Sequence, residues 1–577
     1  MELSLVIVIA VVAIVVVTTL AQRLGVAGPL LLVALGIVVS LMPFVHIPEI
    51  DPEWILVGVL PPLLYSAAVN LPALEFRRDF RPIAGLAVLL VVISAIVLGV
   101  FFWLVIPGVS LPLGVALGAI LSPTDAVATS IAKRLGIAPR VVTMLEGESL
   151  LNDATALVLL RTAIAAIAGS FSLWGAIGAF AWAVLIAAVV GAVVGMLIVR
   201  VRAWVGSSAS NTALSFTAPF LAYLPTEHLG GSGLVAAVVA GIVTGQQSVR
   251  RLTPEQRLSE AMNWRTIELV LEGAVFLLMG LELKDIVTDN LRAHEGLWFP
   301  FWLALSALGI ILVVRAAYVS LLVWAQGRRA RRIDRARLEA FGARIETLAS
   351  GAPPDSRGGH PLGGPKMRER RLGAMRARVQ RLLTDLDYYQ ASPVGWKHGT
   401  VIVWAGMRGV VTLAAAQTLT VEDTDDQRAL LVFIAFLVAL ISLMLQGFTL
   451  PWVVRLLRFP RPAAGDGDDE RERIDDELAQ AGRAALTDPT LTTRSGAPFP
   501  PEVIERARAR LEVAPDDEST AEGRVIAELR LALIQVQRRR LIELGSDGRF
   551  SSAVLKQALA ELDAEELSLA LRLGEEP

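Results

Sequence analysis

Two short polar motifs lie inside long apolar stretches of the sequence, and both contain carboxylates. They are Ser122-Pro-Thr-Asp125 and Gly147-Glu-Ser-Leu-Leu-Asn-Asp153. A charged side chain deep in a membrane costs a few kcal/mol, so its presence indicates a functional role. A carboxylate binds a proton or, together with other oxygen ligands, a small cation. Asp125 and Asp153 therefore predict a protein that exchanges a cation for a proton.

The first motif places a proline in the middle of an apolar segment. Pro123 cannot donate a backbone hydrogen bond, and its ring clashes with the preceding helical turn. We therefore expect an unwound stretch around Thr124 and Asp125 whose free carbonyl groups can bind a cation. The alternative is a simple proline kink beside a polar cluster, which the charge of Asp125 makes the weaker interpretation.

The second motif gives a helix one polar face. At about 100° per residue, an arc of about 140° holds Glu148, Asn152, Ser149 and Asp153. The alternative is a helix start among lipid headgroups. That alternative suits Glu146 and could apply to Glu148, but it suits Asp153 poorly, because Asp153 lies further into the apolar run.

Two arginines also lie inside apolar segments. Gly406 and Gly409 flank Arg408, and glycines permit a break in a helix. Arg315 lies at least ten residues from either end of its apolar run, so snorkelling to the interface is the weaker interpretation. We expect both arginines to be fixed positive charges near the carboxylates.

The composition is typical of a membrane protein. Hydrophobic residues make up 54% of the 577 residues and charged residues 19%, below the ~25% of soluble domains. Cysteine is absent, which excludes disulfides, thiolate nucleophiles and cysteine metal sites. We expect an all-α polytopic membrane protein. Apolar windows predict about thirteen spans, at 3–22, 28–42, 53–70, 82–106, 111–132, 142–168, 172–201, 211–225, 232–246, 264–283, 297–325, 397–419 and 427–456.

Charges in the loops between these windows predict an orientation. With the N-terminus outside, basic residues such as Arg23, Lys133 and Arg200 fall in inside loops, and acidic ones such as Glu227 and Glu422 fall outside. This distribution obeys the positive-inside rule, and only the loop with Lys284 and Arg292 mixes signs. We expect a multi-pass protein of the plasma (cell) membrane with a cytoplasmic C-terminus.

The order of the windows predicts two inverted halves. If the seventh window is a linker, the fifth, with Pro123 and Asp125, corresponds to the twelfth, with Arg408. Paired broken helices in inverted halves are the best sequence indicator of a transport site.

The predicted domains follow the charge distribution. A transmembrane domain covers 1–456 and includes a basic cytoplasmic insertion at 327–395. The insertion is expected to face solvent or lipid headgroups. A linker at 457–502 and a small helical cytoplasmic tail at 503–577 follow.

Four motifs resemble those of the monovalent cation/proton antiporters of the first cation–proton antiporter family, which includes bacterial sodium/proton exchangers. They are Ser122-Pro-Thr-Asp125, Gly147-Glu-Ser-Leu-Leu-Asn-Asp153, Phe276-Leu-Leu-Met-Gly-Leu-Glu282 and Met407-Arg-Gly-Val-Val-Thr-Leu413. They occur in the family's order, and the resemblance covers about residues 1–456. It implies inverted repeats with broken, crossing helices, and it suggests a homodimer.

The resemblance also implies roles for individual residues. Asp153 looks like the essential carboxylate for ion and proton, and the implied Na+ ligands are Asp153, Asp125, Ser149 and Thr124. Asn152 looks like a brace for the Thr124 side chain. Glu148 looks like an acid paired with Arg408 or Arg315, and the sequence leaves both partners open.

One position departs from the family's pattern. Many relatives carry a carboxylate near the position of Ser66, in Leu60-Pro-Pro-Leu-Leu-Tyr-Ser-Ala67, and this chain does not. Because of this departure, the sequence does not decide whether the site has a third charged ligand or which cation it prefers.

Sodium/proton antiport by alternating access is the predicted function, with Na+ or Li+ as the cation. Asn152 cannot titrate, which favours electroneutral one-for-one exchange, although Asp125 could titrate too. Potassium/proton antiport is the alternative, and a cation channel is a remote one because no filter or pore-ring motif is present. An intramembrane enzyme would need a second aspartate-rich motif. We expect no enzymatic activity, no cofactor beyond the transported ions and no nucleic-acid partner.

Overall fold

The computed structural model divides the chain into two units, residues 1–323 with 394–459 and residues 324–393 with 460–577. The described residues are 2–42, 52–167, 173–293, 296–332, 383, 385, 388–389, 393–424, 427–459, 466–488, 491–492, 497–510, 521–547 and 550–572. Most of the insertion predicted at 327–395 therefore lies outside them.

The first unit is built of helices. They are α1 Glu2–Leu24, α2 Gly28–Ser40, α3 Leu60–Asn70, α4 Ala73–Arg78, α5 Phe80–Ala84, α6 Val91–Val105, α7 Leu111–Leu121, α8 Val127–Arg134, α9 Pro139–Ile167, α10 Leu173–Arg202, α11 Ser208–His228, α12 Gly233–Arg251, α13 Pro254–Leu281, α14 Leu283–Arg292, α15 Trp298–Arg332, α16 Trp396–Trp404, α17 Val410–Gln417, α18 Val421–Thr424 and α19 Arg428–Leu457. The π-helical turns Trp54–Val59 and Gly85–Leu90 lead into α3 and α6. The last residues of α15 belong to the second unit.

Every predicted apolar window coincides with one helix or with consecutive helical segments, so the all-helical polytopic class is confirmed. Six helices of the described chain are by themselves long and apolar enough to cross a membrane. Shorter apolar helices include α2 and α7. The number of crossings, about thirteen, stays a prediction.

Two of the predicted spans are broken at their centres. The fifth consists of α7 and α8, separated by 122–126, and the twelfth consists of α16 and α17, separated by 405–409. Helix α9 packs on both α8 and α16. The opposite directions of the two broken spans stay a prediction.

The second unit contains four further helices, α20 Asp466–Ala485, α21 Pro501–Arg510, α22 Ala521–Asp547 and α23 Ser552–Arg572. The last three lie almost wholly within 503–577, the predicted helical cytoplasmic tail, whose cytoplasmic placement stays a prediction. Helix α20 lies within the stretch 457–502 that was predicted as a linker, and it buries Ile474 and Leu478 against α22. The acidic residues at the start of α20 give this stretch the composition of a linker, although the helix has an apolar face.

Candidate ion-binding site

The two broken spans cross at their unwound centres. The backbone N–H of Asp125 donates to the carbonyl oxygen of Met407 over 2.7 Å. One Asp125 carboxylate oxygen accepts from the backbone N–H of Val127 at 2.9 Å, at the start of α8. The other lies so close to Gly409 that a β-carbon there would come within 1.4 Å of it. The expected unwinding at Pro123 is thus present, and a simple kink is excluded.

A cavity of about 320 Å³ opens beside this crossing. We call it the acidic cavity, because carboxylates line it from several elements. Of the sequence-predicted ligands it contains Asp153, Asp125, Ser149 and Thr124, together with Pro123. Asp153 is 5% exposed, and its Oδ1 atom has no hydrogen-bond partner among the described residues. The cavity brings the predicted ligands together around a buried carboxylate, one of whose oxygens has no hydrogen-bond partner in the described part of the chain.

Polar side chains brace the first break against α9. The Asn152 Nδ2 amide donates to Thr124 Oγ1 at 2.7 Å, as the sequence predicts. The Thr124 hydroxyl in turn donates to Glu148 Oε1 at 3.3 Å. All three side chains are buried. Thr124 therefore fixes the unwound backbone to the helix that carries Asp153.

Arg315, and not Arg408, pairs with Glu148. Its Nη2 lies 2.8 Å from Glu148 Oε2, and Nη1 contacts the other carboxylate oxygen. The Nε–H of Arg315 donates to the carbonyl of Ile402 on α16 at 3.0 Å. Snorkelling of Arg315 is excluded, because its side chain is 2% exposed.

Arg408 binds the backbone of both broken spans. Its Nε–H donates to the carbonyl of Leu121 at 3.0 Å, and Nη1 contacts the carbonyl of Gly406. The backbone N–H of Arg408 donates to Ser442 Oγ on α19 at 2.9 Å. The buried charge of Arg408 thus lies at the ends of α7 and α16.

Ser66 does not line the acidic cavity, but it binds a carboxylate that does. Its hydroxyl donates to Glu268 Oε1 on α13, and Glu268 lines the acidic cavity with Glu272, one helical turn further on. Sequence reasoning passed over both glutamates, although they lie inside the predicted span 264–283. Two acids four residues apart on one face of an apolar helix were the available signal.

An ion pair also lies at the acidic cavity. Lys133 of α8 binds Glu146 of α9, and both line the cavity. The Lys133 side chain is 57% exposed, so this pair marks the end of the cavity that is open to solvent. Glu146 is therefore placed at the entrance, in keeping with the headgroup interpretation of that residue alone.

A family model described as "Sodium/hydrogen exchanger, transmembrane" matches residues 7–348, which include the acidic cavity's first broken span, α9 and α13. The chain belongs to the sodium/hydrogen exchanger family. This agrees with the resemblance that its motifs carry.

Two bacterial proteins illustrate the resemblance to known relatives. An uncharacterized Na(+)/H(+) exchanger of Mycobacterium tuberculosis is 29% identical over 584 residues, covering 98% of this chain and 96% of the relative. A sodium, potassium, lithium and rubidium/H(+) antiporter of Bacillus pumilus is 35% identical over 273 residues, covering 45% and 40%.

A solved structure shares the exchanger's fold. The sodium proton antiporter MjNhaP1 of Methanocaldococcus jannaschii aligns with a TM-score of 0.55 and 18% identity, over 80% of this chain and 100% of the other. The crossing of two broken helices in an all-helical bundle therefore belongs to a known transporter fold.

Proposed function

We propose that this exchanger carries Na+ or Li+ in one direction and H+ in the other, with Asp153 binding either ion in turn. The observation that carries the proposal is the buried Asp153 carboxylate with an unpartnered oxygen beside the acidic cavity. Such an atom calls for a water or an ion as its partner. Asp125, Ser149 and the backbone at Thr124 supply further oxygen ligands, so the transported ions are substrates and no other cofactor is needed.

Competition for one site gives the exchange its mechanism. Asp153 cannot hold a proton and a cation together, so each ion displaces the other. Asn152 and Thr124 keep the carboxylate beside the broken spans, whose relative movement exposes it to each side in turn. The chain acts as a carrier without enzymatic chemistry in a multi-pass arrangement in the plasma membrane, its N-terminus outside, with a second copy as partner in a homodimer.

Proton movement in everted vesicles tests this proposal. Na+, Li+ or K+ is added in turn to vesicles preloaded with a pH-sensitive dye, and dequenching reports proton release. We expect a saturable response to Na+ and Li+ that Asp153→Asn abolishes. Asp289→Asn, an exposed change on α14, serves as the matched control and leaves the response intact. An active Asp153→Asn variant would rule out the assigned site.

Electroneutral exchange is the proposed stoichiometry. Asn152 cannot take up a proton, so Asp153 is the titrating member of that pair. The rate of Na+-driven proton movement in proteoliposomes should therefore be the same at zero and at imposed potentials. A strong dependence on potential would mean that Asp125 or another acid of the cavity takes part in the proton count.

Potassium/proton exchange is the second candidate, favoured by the broad cation range in the name of the Bacillus pumilus antiporter. Carboxylate and hydroxyl oxygens also accept K+. A half-saturating K+ concentration equal to or below that for Na+ in the vesicle assay would favour it. A response that does not saturate and needs no proton gradient would instead indicate a channel.

A further inference from the structure

The second broken span contributes an unpartnered hydroxyl to the acidic cavity. Thr412 lies in the first turn of α17, three residues after the break that ends at Gly409. Its side chain is 1% exposed, and Oγ1 has no hydrogen-bond partner among the described residues. Thr412 nevertheless lines the cavity that holds Asp125 and Asp153.

Helical threonines normally avoid such a state by donating to their own backbone. Thr155 donates to the carbonyl of Leu151 at 3.1 Å, and Thr226 to that of Ala222 at 2.7 Å. The equivalent carbonyl for Thr412 belongs to Arg408, in the unwound stretch. The helical geometry that would bring the two together is therefore lost.

The hydroxyl of Thr212 on α11 is also buried and has no hydrogen-bond partner among the described residues. It does not line the acidic cavity. A buried hydroxyl without a partner costs about 1–3 kcal/mol. At Thr412 a bound cation can offset this cost, because the hydroxyl shares a cavity with two carboxylates that attract cations.

We propose that Thr412 Oγ1 coordinates the transported cation in the acidic cavity, which adds a ligand from the second broken span. The inference rests on the proposed cation exchange. The hydroxyl oxygen binds the cation while its O–H donates to a carboxylate of the cavity. Asp153 on α9 and Thr412 on α17 then hold the same ion, so cation binding connects α9 to the second broken span.

Three substitutions at Thr412 test the hydroxyl. Valine keeps the shape and removes the oxygen, alanine removes both, and serine keeps the oxygen. In proteoliposomes at fixed pH we expect the half-saturating Na+ concentration to rise about tenfold for Thr412→Val and Thr412→Ala, as for loss of one hydrogen bond or ligand to a charged group. Thr412→Ser should stay within about twofold of the unchanged protein.

Thr212→Val is the matched control, because the Thr212 hydroxyl is also buried and without a partner among the described residues but does not line the cavity. Its half-saturating Na+ concentration should not change. A second readout is the rise in thermal unfolding temperature with added NaCl relative to choline chloride. That rise should shrink for Thr412→Val and Thr412→Ala.

Each outcome bears on a different claim. If Thr412→Val does not fold, Thr412→Ala and Thr412→Ser decide the question. Unchanged Na+ dependence in the valine and alanine variants, in both readouts, overturns the role of Thr412 and leaves sodium/proton exchange intact. Absence of Na+-driven proton movement in the unchanged protein overturns the exchange itself.

Discussion

Glu148 and Arg315 form a buried ion pair with two contacts, and each partner depends on the other. Burial removes the hydration of both charges, and only a close partner offsets this cost. The Arg315 side chain also reaches Ile402 on α16, so the pair joins α9, α15 and the second broken span. The pair supports the ion-binding site, but neither of its side chains lines the acidic cavity.

Removing Arg315 should therefore destabilise the exchanger strongly. Arg315→Met leaves Glu148 buried and unpaired, and we expect a loss of about 3–5 kcal/mol in the free energy of unfolding. The measurement is thermal unfolding in detergent. Adding Glu148→Gln to Arg315→Met should restore part of the loss. Arg292→Met removes an exposed pair with Asp289 and should change stability by less than about 1 kcal/mol.

Gly409 is a second position where one atom decides the outcome. A β-carbon at Gly409 would overlap the Asp125 carboxylate, so Gly409→Ala must push Asp125 away or separate the broken spans. We expect loss of Na+-driven proton movement in the vesicle assay. Gly309→Ala, on α15 with open space around it, is the control and should transport normally. Normal transport by Gly409→Ala would contradict the close packing of Asp125 on the second break.

Charge placement at the crossing follows the direction of the half-helices. Helix C-termini expose carbonyl groups and carry partial negative charge, and N-termini expose N–H groups and carry partial positive charge. Arg408 binds carbonyls at the ends of α7 and α16, while Asp125 accepts from the start of α8 and packs on Gly409 before α17. Each element end thus has a compensating side chain.

Arg408→Met should remove the compensation at two helix ends together. We expect lower thermal stability and weak transport, with partial recovery in Arg408→Lys, which keeps the charge. Arg428→Met is matched, because Arg428 also donates to two carbonyls, those of Gln417 and Leu419, away from the crossing. A transport defect as large in Arg428→Met as in Arg408→Met would argue against a special role for the crossing.

Local sequence predicts the broken helices but not all of the cavity. Pro123 and the glycines around Arg408 disturb helix geometry within a few residues, so the breaks were predictable. The choice of Arg315 over Arg408 as partner of Glu148 depends on packing between distant segments. Glu268 and Glu272 were not predicted as site residues, because no helix break marks their span. Helix α13 continues through Gly273 and Gly280. Ligand roles at Asp153, Asp125, Ser149 and Thr124 stay predictions.

The molecule as a whole offers a clean test of orientation, because the chain contains no cysteine. Trp204 and Leu229 lie just beyond opposite ends of α11, and both are exposed. A membrane-impermeant maleimide should label Leu229→Cys in intact cells and Trp204→Cys only after permeabilisation. The unchanged chain has no thiol, so it serves as the control for background labelling. The reverse pattern would invert the topology and place the C-terminus outside.

The bond from the Asp125 N–H to the Met407 carbonyl uses backbone atoms only. Almost any amino acid supplies those atoms, and proline at position 125 is the exception because it lacks the N–H. Replacement of either side chain, other than by proline at position 125, keeps the atoms of this hydrogen bond. The bond can therefore persist during evolutionary divergence, while the side chains that line the acidic cavity adapt to other cations.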